Sequence, residues 1–284
     1  MNSSKRKEKT EAPLNFSGQP ELESPSFIIG WHLDAGRFGE GVIDYLNRKF
    51  GGQSFCEIEP ADFYPLRGVA IEDGIVHFPE SIFYACPEKN LLLSICTPPA
   101  YEWYQFLNLI LDVHRYCHAK ELFIINGIVS LSAHTSPRQL WGTVNSAEFK
   151  TALSLYNVVR ELDYITPPGQ RPTLNSFLLW AAKRRNIPGI SLMVPIPFYM
   201  VAVDDLKARR KVLEFFNQTF DLEMDFSDLD EEIRRQNQIM YEIRDSFPDI
   251  DQSIMRLESN LRLSEEESQR LVKEIDRLLK ERRD

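Results

Sequence analysis

The feature that most constrains the fold is an alternation of short apolar runs with longer helical patterns between residues 25 and about 225. Strand-length runs at residues 27–33, 91–96 and 190–195 are separated by helical segments such as residues 101–118. Strands that alternate with helices in this way are typical of a layered α/β fold. No internal repeat of solenoid or propeller length is visible in the sequence. The pattern therefore predicts an α/β body.

Composition divides the chain into three parts. Residues 1–24 are charged, contain Pro13 and Pro20 and offer little apolar surface, so we expect a disordered tail. Residues 25–225 form the α/β body. Residues 226–284 carry many charges with apolar positions at helical spacing and a capping box at Ser264 and Glu267, which predicts a helical C-terminal extension. Its last helix should dock on protein through a stripe that includes Leu271.

Charge and hydropathy exclude several classes of partner. The chain has 33 Lys+Arg against 42 Asp+Glu, a net charge of -9, so its overall field repels nucleic acid and anionic lipid surfaces. The longest apolar run, residues 190–203, is too short to span a bilayer and is interrupted by Pro195 and Pro197. The basic residues near the start are followed by no apolar stretch, so no secretory signal is predicted. We therefore expect a cytoplasmic protein that binds neither nucleic acid nor membrane.

The cysteine and histidine spacings do not predict a metal site. The four cysteines lack any C-x-x-C pairing, and we expect free thiols. A hairpin between Cys86 and Cys96 would place Cys86 opposite Leu91, which argues against a disulfide between the two cysteines. His114 and His118 are four residues apart on a predicted helix, a metal-binding spacing, but no third ligand is evident. We predict no metal and no cofactor. The cysteines are Cys56, Cys86, Cys96 and Cys117.

A glycine-containing turn follows the first predicted strand. Asp34 precedes Gly36, Gly39 and Gly41, and a helix begins within this segment. The spacing differs from the glycine motifs of dinucleotide sites and P-loops, so these glycines are expected to permit a tight strand-to-helix turn. Asp34 is either a helix cap or a catalytic acid.

A second candidate loop follows the strand predicted at residues 122–126. It contains Asn126, Gly127, His134, Thr135 and Pro137, and ligands in open α/β sheets bind at this edge. His134 is suited to act as a base, a hydrogen-bond donor or a capping group, and structural hydrogen bonding is an equal alternative. No nucleophile elbow, paired acid motif, kinase motif or zinc motif accompanies it. The sequence therefore assigns no catalytic residue.

The order of several short motifs resembles the proteasome assembly chaperone 2 family over about residues 27–225. The helical tail, with Arg256, Glu258 and the helix after Ser264, is similar to that of long bacterial members. The motifs are Trp31, Asp34 and Gly36; Asp62, Phe63 and Tyr64; Pro98, Pro99 and Trp103; Asn126, Gly127, His134, Thr135 and Pro137; and residues 187–192 with Pro197 and Tyr199.

This resemblance implies a three-layer α/β/α fold of the phosphorylase/hydrolase-like type with a mixed sheet. It also implies a homo-oligomer, for which a trimer is one expected form. Eukaryotic and archaeal members hold proteasome α-subunits during assembly without catalysis. Two features depart from the family. Ser136 replaces an arginine of the family motif, with Arg138 two residues further on, and the sequence ends at Asp284 without the hydrophobic-Tyr-X tail by which archaeal chaperones dock.

Two functions of different classes follow from these observations. The first is a non-enzymatic, homo-oligomeric chaperone that binds a proteasome-related or other protein client through its surface. The absence of a complete catalytic motif set favours it. The alternative is a hydrolase, phosphorylase or ligase-type enzyme with Asp34, Asn126 and His134 around one cleft at the strand edge. Fold alone does not decide between them.

Overall fold

A computed structural model describes residues 13–65, 70–72, 74–153, 158–159, 163 and 165–281. Within these residues, ten strands and eight α-helices are defined. The strands are β1 (Leu14–Phe16), β2 (Ser26–Trp31), β3 (Gln53–Ile58), β4 (Ala70–Glu72), β5 (Ile75–His77), β6 (Ser81–Cys86), β7 (Leu91–Cys96), β8 (Glu121–Ser130), β9 (Trp141–Val144) and β10 (Gly189–Pro197). The helices are α1 (Phe38–Phe50), α2 (Trp103–Tyr116), α3 (Ala147–Ala152), α4 (Leu174–Arg184), α5 (Leu206–Phe220), α6 (Ser227–Ser246), α7 (Pro248–Glu258) and α8 (Glu265–Glu281).

Eight strands form one mixed sheet in the order β1-β3-β6-β7-β2-β8-β10-β9. The four central strands, β7, β2, β8 and β10, are parallel, and the outer strands pair antiparallel. Helices α1 and α5 pack on one face with the C-terminal helices, and α2 and α4 pack on the other. The predicted mixed α/β fold with C-terminal helices is confirmed.

The central strand β2 explains why both faces are covered. All six of its residues are buried. Successive side chains of a strand point to opposite faces, so Phe27 joins the cluster beneath α2 and α4 while Ile28 joins the cluster beneath α1 and α5. Strands buried on both faces have nearly continuous apolar sequences, as β2 does from Phe27 to Trp31.

The ends of two predicted elements differ from the structure. The prediction of a disordered tail over residues 1–24 is wrong for residues 14–16, because β1 pairs antiparallel with β3 at the edge of the sheet. Residues 1–12 lie outside the described residues. The strand predicted at residues 122–126 continues to Ser130, because β10 pairs with it along its whole second half. Asn126 and Gly127 therefore lie within β8.

Local turns agree with the sequence. Strands β4 and β5 form a short antiparallel hairpin next to Gly74, whose positive φ suits a tight turn, and Asp73 lies outside the described residues. In the hairpin of β6 and β7, Cys86 faces Leu91, as predicted. All four cysteines are buried free thiols.

The C-terminal helices pack on the body. The Ser264 amide donates to Glu267 and the Glu267 amide donates to the Ser264 hydroxyl, so the predicted capping box is present. Leu271 and Leu278 are buried, and α8 packs against the turn Phe198–Met200 that follows β10. The predicted docking of the last helix is confirmed. The division into a body of residues 25–225 and an extension of residues 226–284 stays a prediction, because α6 also packs against α5.

Across the part of the chain that the structure describes, no helix combines the length and apolar character needed to cross a membrane.

Candidate functional site

The parallel centre of the sheet brings three segments together at one edge. The carboxyl ends of β2, β8 and β10 lie side by side, since β8 pairs in parallel with both neighbours. The turn after β2, the distal half of β8 with its following loop, and the turn after β10 meet there. Ligands of open α/β sheets bind at such edges, so this is where the candidate residues are compared.

Asp34 connects the turn after β2 to both α1 and β8. Its Oδ2 accepts a hydrogen bond from the Gly127 amide at 2.8 Å, and both its oxygens accept from the Gly39 amide, at 3.0 and 3.1 Å. An amide at the first turn of a helix lacks an intrahelical acceptor, so Asp34 caps α1. Burial nevertheless raises the pKa of Asp34 to about 7, and the backbone hydrogen bonds oppose that shift.

Glycine at position 127 is required by this arrangement. A Cβ atom at Gly127 would overlap the carbonyl oxygen of Ala35, so a larger residue would push the turn away from β8. Gly36, with φ of +69°, gives the turn its left-handed step. Gly36 lies in the strand-to-helix turn that the sequence predicts, and Gly127 of β8 leaves room for that turn.

Asn126 belongs to a partly buried hydrogen-bond chain on the face of the sheet that α2 and α4 cover. The Asn175 amide donates to Asn126 Oδ1 at 2.5 Å, and the Trp31 indole donates to Asn175 Oδ1 at 2.6 Å. The chain ties β2 and β8 to the first turn of α4. Asn175 carries no motif that would single it out in the sequence. Its only signal is its position just after Thr173, the residue that caps α4.

His134 is fixed by Tyr199 from the turn after β10. The Tyr199 hydroxyl accepts the His134 backbone amide at 2.6 Å and lies 2.8 Å from His134 Nδ1. The Tyr199 hydroxyl therefore holds both the backbone and the ring of His134, and the donor of the second hydrogen bond depends on the histidine tautomer. Burial lowers the pKa of His134 to about 4, with a further contribution from Lys207, so the ring is neutral near pH 7.

The loop after His134 is held by the C-terminal extension. The Thr135 hydroxyl donates to Glu258 of α7 at 2.8 Å, and Arg244 of α6 donates to the same carboxylate at 2.7 Å. Pro137 is exposed within this loop. Arg138 turns inward and its Nε donates to Asp205 at 2.9 Å, so an arginine still serves this loop although Ser136 stands at the motif position.

The structure does not gather Asp34, Asn126 and His134 around one cleft. His134 and Thr135 line a cleft of about 380 Å³ whose other walls come from α5, α6 and α7, and neither Asp34 nor Asn126 borders it. Asp34 accepts a hydrogen bond from the Gly39 amide of α1, whereas Asn126 accepts one from Asn175 of α4. The candidate residues therefore form three separate hydrogen-bonded groups along the edge.

The two helical histidines are also separated. His114 is buried against Phe27, while His118 is exposed beyond the end of α2. Burial lowers the pKa of His114 to about 4, and its Nε2 has no hydrogen-bond partner among the described residues. In the same part of the chain no group of three or more His, Cys, Asp or Glu side chains is placed to hold a metal ion.

The structure is that of an α/β protein. Helices flank its central parallel strands on both faces, and further helices follow at the C-terminal end. The sequence model of the PAC2 family matches residues 27–244, and the chain belongs to that family. A comparison with curated proteins gives no match.

Solved structures from bacteria and archaea share the fold. Rv2714 of Mycobacterium tuberculosis, a protein of unknown function, has a TM-score of 0.74 at 16% identity, over 90% of this chain and 91% of its own. PbaB of Pyrococcus furiosus, described as an archaeal proteasome activator, has a TM-score of 0.66 at 20% identity, over 81% and 98%. Rv2125 of M. tuberculosis, a proteasome-assembly chaperone homologue, has a TM-score of 0.65 at 17% identity, over 76% and 94%. At these identities the likeness shows the fold alone.

Proposed function

We propose that this chain is a non-enzymatic, cytoplasmic assembly chaperone that acts as a homo-oligomer and binds a protein client through its surface. The observation that carries the proposal is that the polar groups at the strand edge form hydrogen bonds with other parts of the protein. Asp34 binds backbone amides, Asn126 binds Asn175, and His134 binds Tyr199. A catalytic set needs groups free to meet a substrate in one cleft, whereas these groups hold loops in place.

The surface offers a place for a client. Tyr104, Phe177 and Trp180 form an aromatic cluster on α2 and α4, with ring centroids 6.2 Å apart for Tyr104 and Phe177 and 5.4 Å apart for Phe177 and Trp180. Tyr104 is 54% exposed and Trp180 45% exposed. Exposed aromatic clusters of this kind are enriched at protein interfaces. The descriptions of Rv2125 and PbaB support a proteasome component as the client.

The test mixes the purified full chain with purified proteasome α-type subunits of the same organism and follows both by sedimentation velocity. We expect a complex with the wild-type chain and none with a Tyr104→Ser/Trp180→Ser double variant. Tyr241→Ser is the matched control, because Tyr241 is also exposed, at 66%, but lies on α6. Absence of a wild-type complex would contradict a proteasome client, and normal binding by the double variant would contradict the aromatic surface.

One observation favours the enzyme alternative. The pKa of Asp34, raised to about 7 by burial, suits a general acid or base. For a hydrolase, phosphorylase or ligase-type activity, nucleosides or nucleotides should raise the melting temperature of the wild-type chain, and Asp34→Asn should abolish that increase. If these ligands leave the melting temperature unchanged, this second candidate loses its support.

A further inference from the structure

A cleft of about 350 Å³ lies where the ends of β8 and β10 meet the linker between α7 and α8. Phe198, from the turn after β10, lines it together with Leu257 and Leu263, and all three side chains also pack in the core beneath α1 and α5. The other lining residues are Leu131, Ser132, Asn260, Leu261, Arg262 and Ser268. Because its apolar walls belong to the core, the cleft is a built part of the fold.

Two leucines that border this cleft are exposed to solvent. Leu131, directly after β8, is 62% exposed, and Leu261, in the linker, is 56% exposed. Val129, two residues before Leu131, is 63% exposed. Exposed aliphatic side chains beside an apolar cleft indicate a partner with apolar surface of its own. A small molecule confined to the cleft would leave these side chains in water, so the geometry favours a peptide.

Arg262 supplies the only charge among the described residues that line the cleft. Its backbone carbonyl accepts a hydrogen bond from Arg256 at 2.7 Å, but within the described part of the chain its guanidinium makes no ion pair or hydrogen bond. Glu267, at the start of α8, is already bound to Arg256 at 2.6 Å. The cleft therefore combines an apolar interior with one positive charge that no carboxylate of its lining neutralises. This combination is complementary to a partner with one carboxylate beside an apolar group.

The linker that carries Arg262 is held by its own hydrogen bonds. The Leu261 amide donates to the Arg256 carbonyl at 2.8 Å. The Arg256 side chain in turn connects the Arg262 carbonyl to Glu267. A site that is already ordered loses little conformational entropy when a partner binds.

We propose that this cleft binds the C-terminus of a protein partner whose last residue has a bulky aliphatic side chain. That side chain enters the cleft, the terminal carboxylate pairs with Arg262, and the preceding residues cover Leu131 and Leu261. A C-terminal residue carries its side chain and its carboxylate on one Cα, so it brings both groups into a single small cleft. The cleft belongs to the face of the sheet that α1 and α5 cover, so it stands independently of the aromatic surface on α2 and α4.

The test titrates the full chain with N-acetyl-Ala-Ala-Leu as the free acid, with its C-terminal amide, and with N-acetyl-Ala-Ala-Ala as the free acid. Calorimetry gives the affinities, and the Nε–H resonance of Arg262 reports the contact. Sodium chloride keeps the ionic strength constant, because ion pairing depends on it. We expect the leucine acid to bind at least tenfold more tightly than the amide or the alanine acid. Octanoate that binds as tightly as the leucine acid would identify a small-acid site and overturn the proposal.

Variants separate this cleft from general surface effects. Arg262→Gln removes the charge from an exposed side chain, and we expect at least tenfold weaker binding of the leucine acid with an unchanged melting temperature. Arg235→Gln, at an exposed position of α6, is the matched control and should bind as the wild type does. Leu131→Ser should weaken binding several-fold, whereas Ile75→Ser, at a similarly exposed position of β5, should not.

Three results would each overturn the proposal. The first is wild-type affinity in Arg262→Gln or in Leu131→Ser. The second is equal binding of the leucine acid and its amide. The third is no detectable binding of the leucine acid at millimolar concentration.

Discussion

Burial moves the pKa values of Asp34, His114 and His134 in the direction that favours their neutral forms. The pKa of each histidine falls to about 4 from an ordinary 6.5, so the unfolded chain binds more protons than the folded chain between these pH values. Their contribution to stability is therefore present above about pH 6.5 and is lost as the pH falls through this window. Asp34 acts in the opposite sense, because its raised pKa lets the folded chain hold an extra proton below about pH 7.

The two histidines together outweigh the single aspartate, which gives a pH prediction. The free energy of unfolding, measured in urea, should fall between pH 7 and pH 5 by roughly 1 to 3 kcal/mol, given about 1.4 kcal/mol for each unit of pKa shift. Asp34→Asn removes the opposing group, so its stability should fall more steeply over the same interval. A wild-type stability that rises on acidification would contradict the assignment of both histidines as buried and neutral.

A substitution tests the structural role of His134. His134→Ala leaves the Tyr199 hydroxyl without its ring partner, so we expect the free energy of unfolding to fall by about 1 to 3 kcal/mol. Thr135→Ala is the adjacent control and should lose less than about 1 kcal/mol, because the Thr135 side chain is exposed. Urea unfolding of both variants measures the difference. Equal losses would mean that the His134–Tyr199 pair contributes nothing beyond the loop itself.

At this scale the sequence indicates which residue types occupy the edge but not which partners they meet. The capping role of Asp34 could be predicted as one of two roles, because a capping residue lies close in sequence to the helix that it caps. Tyr199 lies 65 residues from His134, and only the parallel pairing of β8 with β10 brings them together.

Among the helices and strands, β1 is the one that the amino-acid composition of its segment does not predict. Its three residues pair with β3, and the Phe16 ring packs at a tilt against Tyr116 of α2 with ring centroids 4.5 Å apart. The mean composition of a segment with low average hydrophobicity predicts a disordered tail. A short edge strand, however, needs only a few apolar residues in register with its neighbour. The core strands and long helices were predictable because their periodicity extends over many residues.

Deletions measure what β1 contributes. Removing residues 1–17 should lower the melting temperature by about 2 to 8 °C relative to removing residues 1–12, if β1 is worth roughly 1 to 2 kcal/mol in a chain of this size. The two deletions differ only in residues 13–17, so the shorter one is the control. Scanning calorimetry gives both values. Identical melting temperatures would mean that the edge strand adds no stability.

The docking of α8 can be tested with two adjacent residues of that helix. Leu271 is buried, whereas its neighbour Val272 is only partly covered. Leu271→Ala should reduce the free energy of unfolding by about 2 to 5 kcal/mol, and Val272→Ala by clearly less. Denaturant unfolding with hydrogen exchange of the α8 amides measures both. Unprotected amides in the wild type would contradict a docked helix.

At the scale of the whole molecule, changes in the aromatic surface on α2 and α4 should affect client binding but not stability. Tyr104 and Trp180 are exposed, so the double replacement by serine should change the free energy of unfolding by less than about 1 kcal/mol. Sedimentation equilibrium of the same variant reports whether this surface also supports self-association. A large loss of stability would show that the cluster belongs to the fold and would weaken its assignment as a client surface.

The strand order also determines which parts of the sheet can form first while the chain is being synthesised. Strand β2 is made early, but its partner β7 begins 60 residues after its last residue and its other partner β8 later still, whereas β6 and β7 form a local hairpin. The hairpin units can therefore assemble while the centre of the sheet is still open. Closing the centre requires β10, whose long-range parallel pairing is intrinsically slow. Until residue 197 has left the ribosome, the apolar faces of β2 and β8 are incompletely covered, and a nascent chain stalled in this interval should be the form most prone to aggregate.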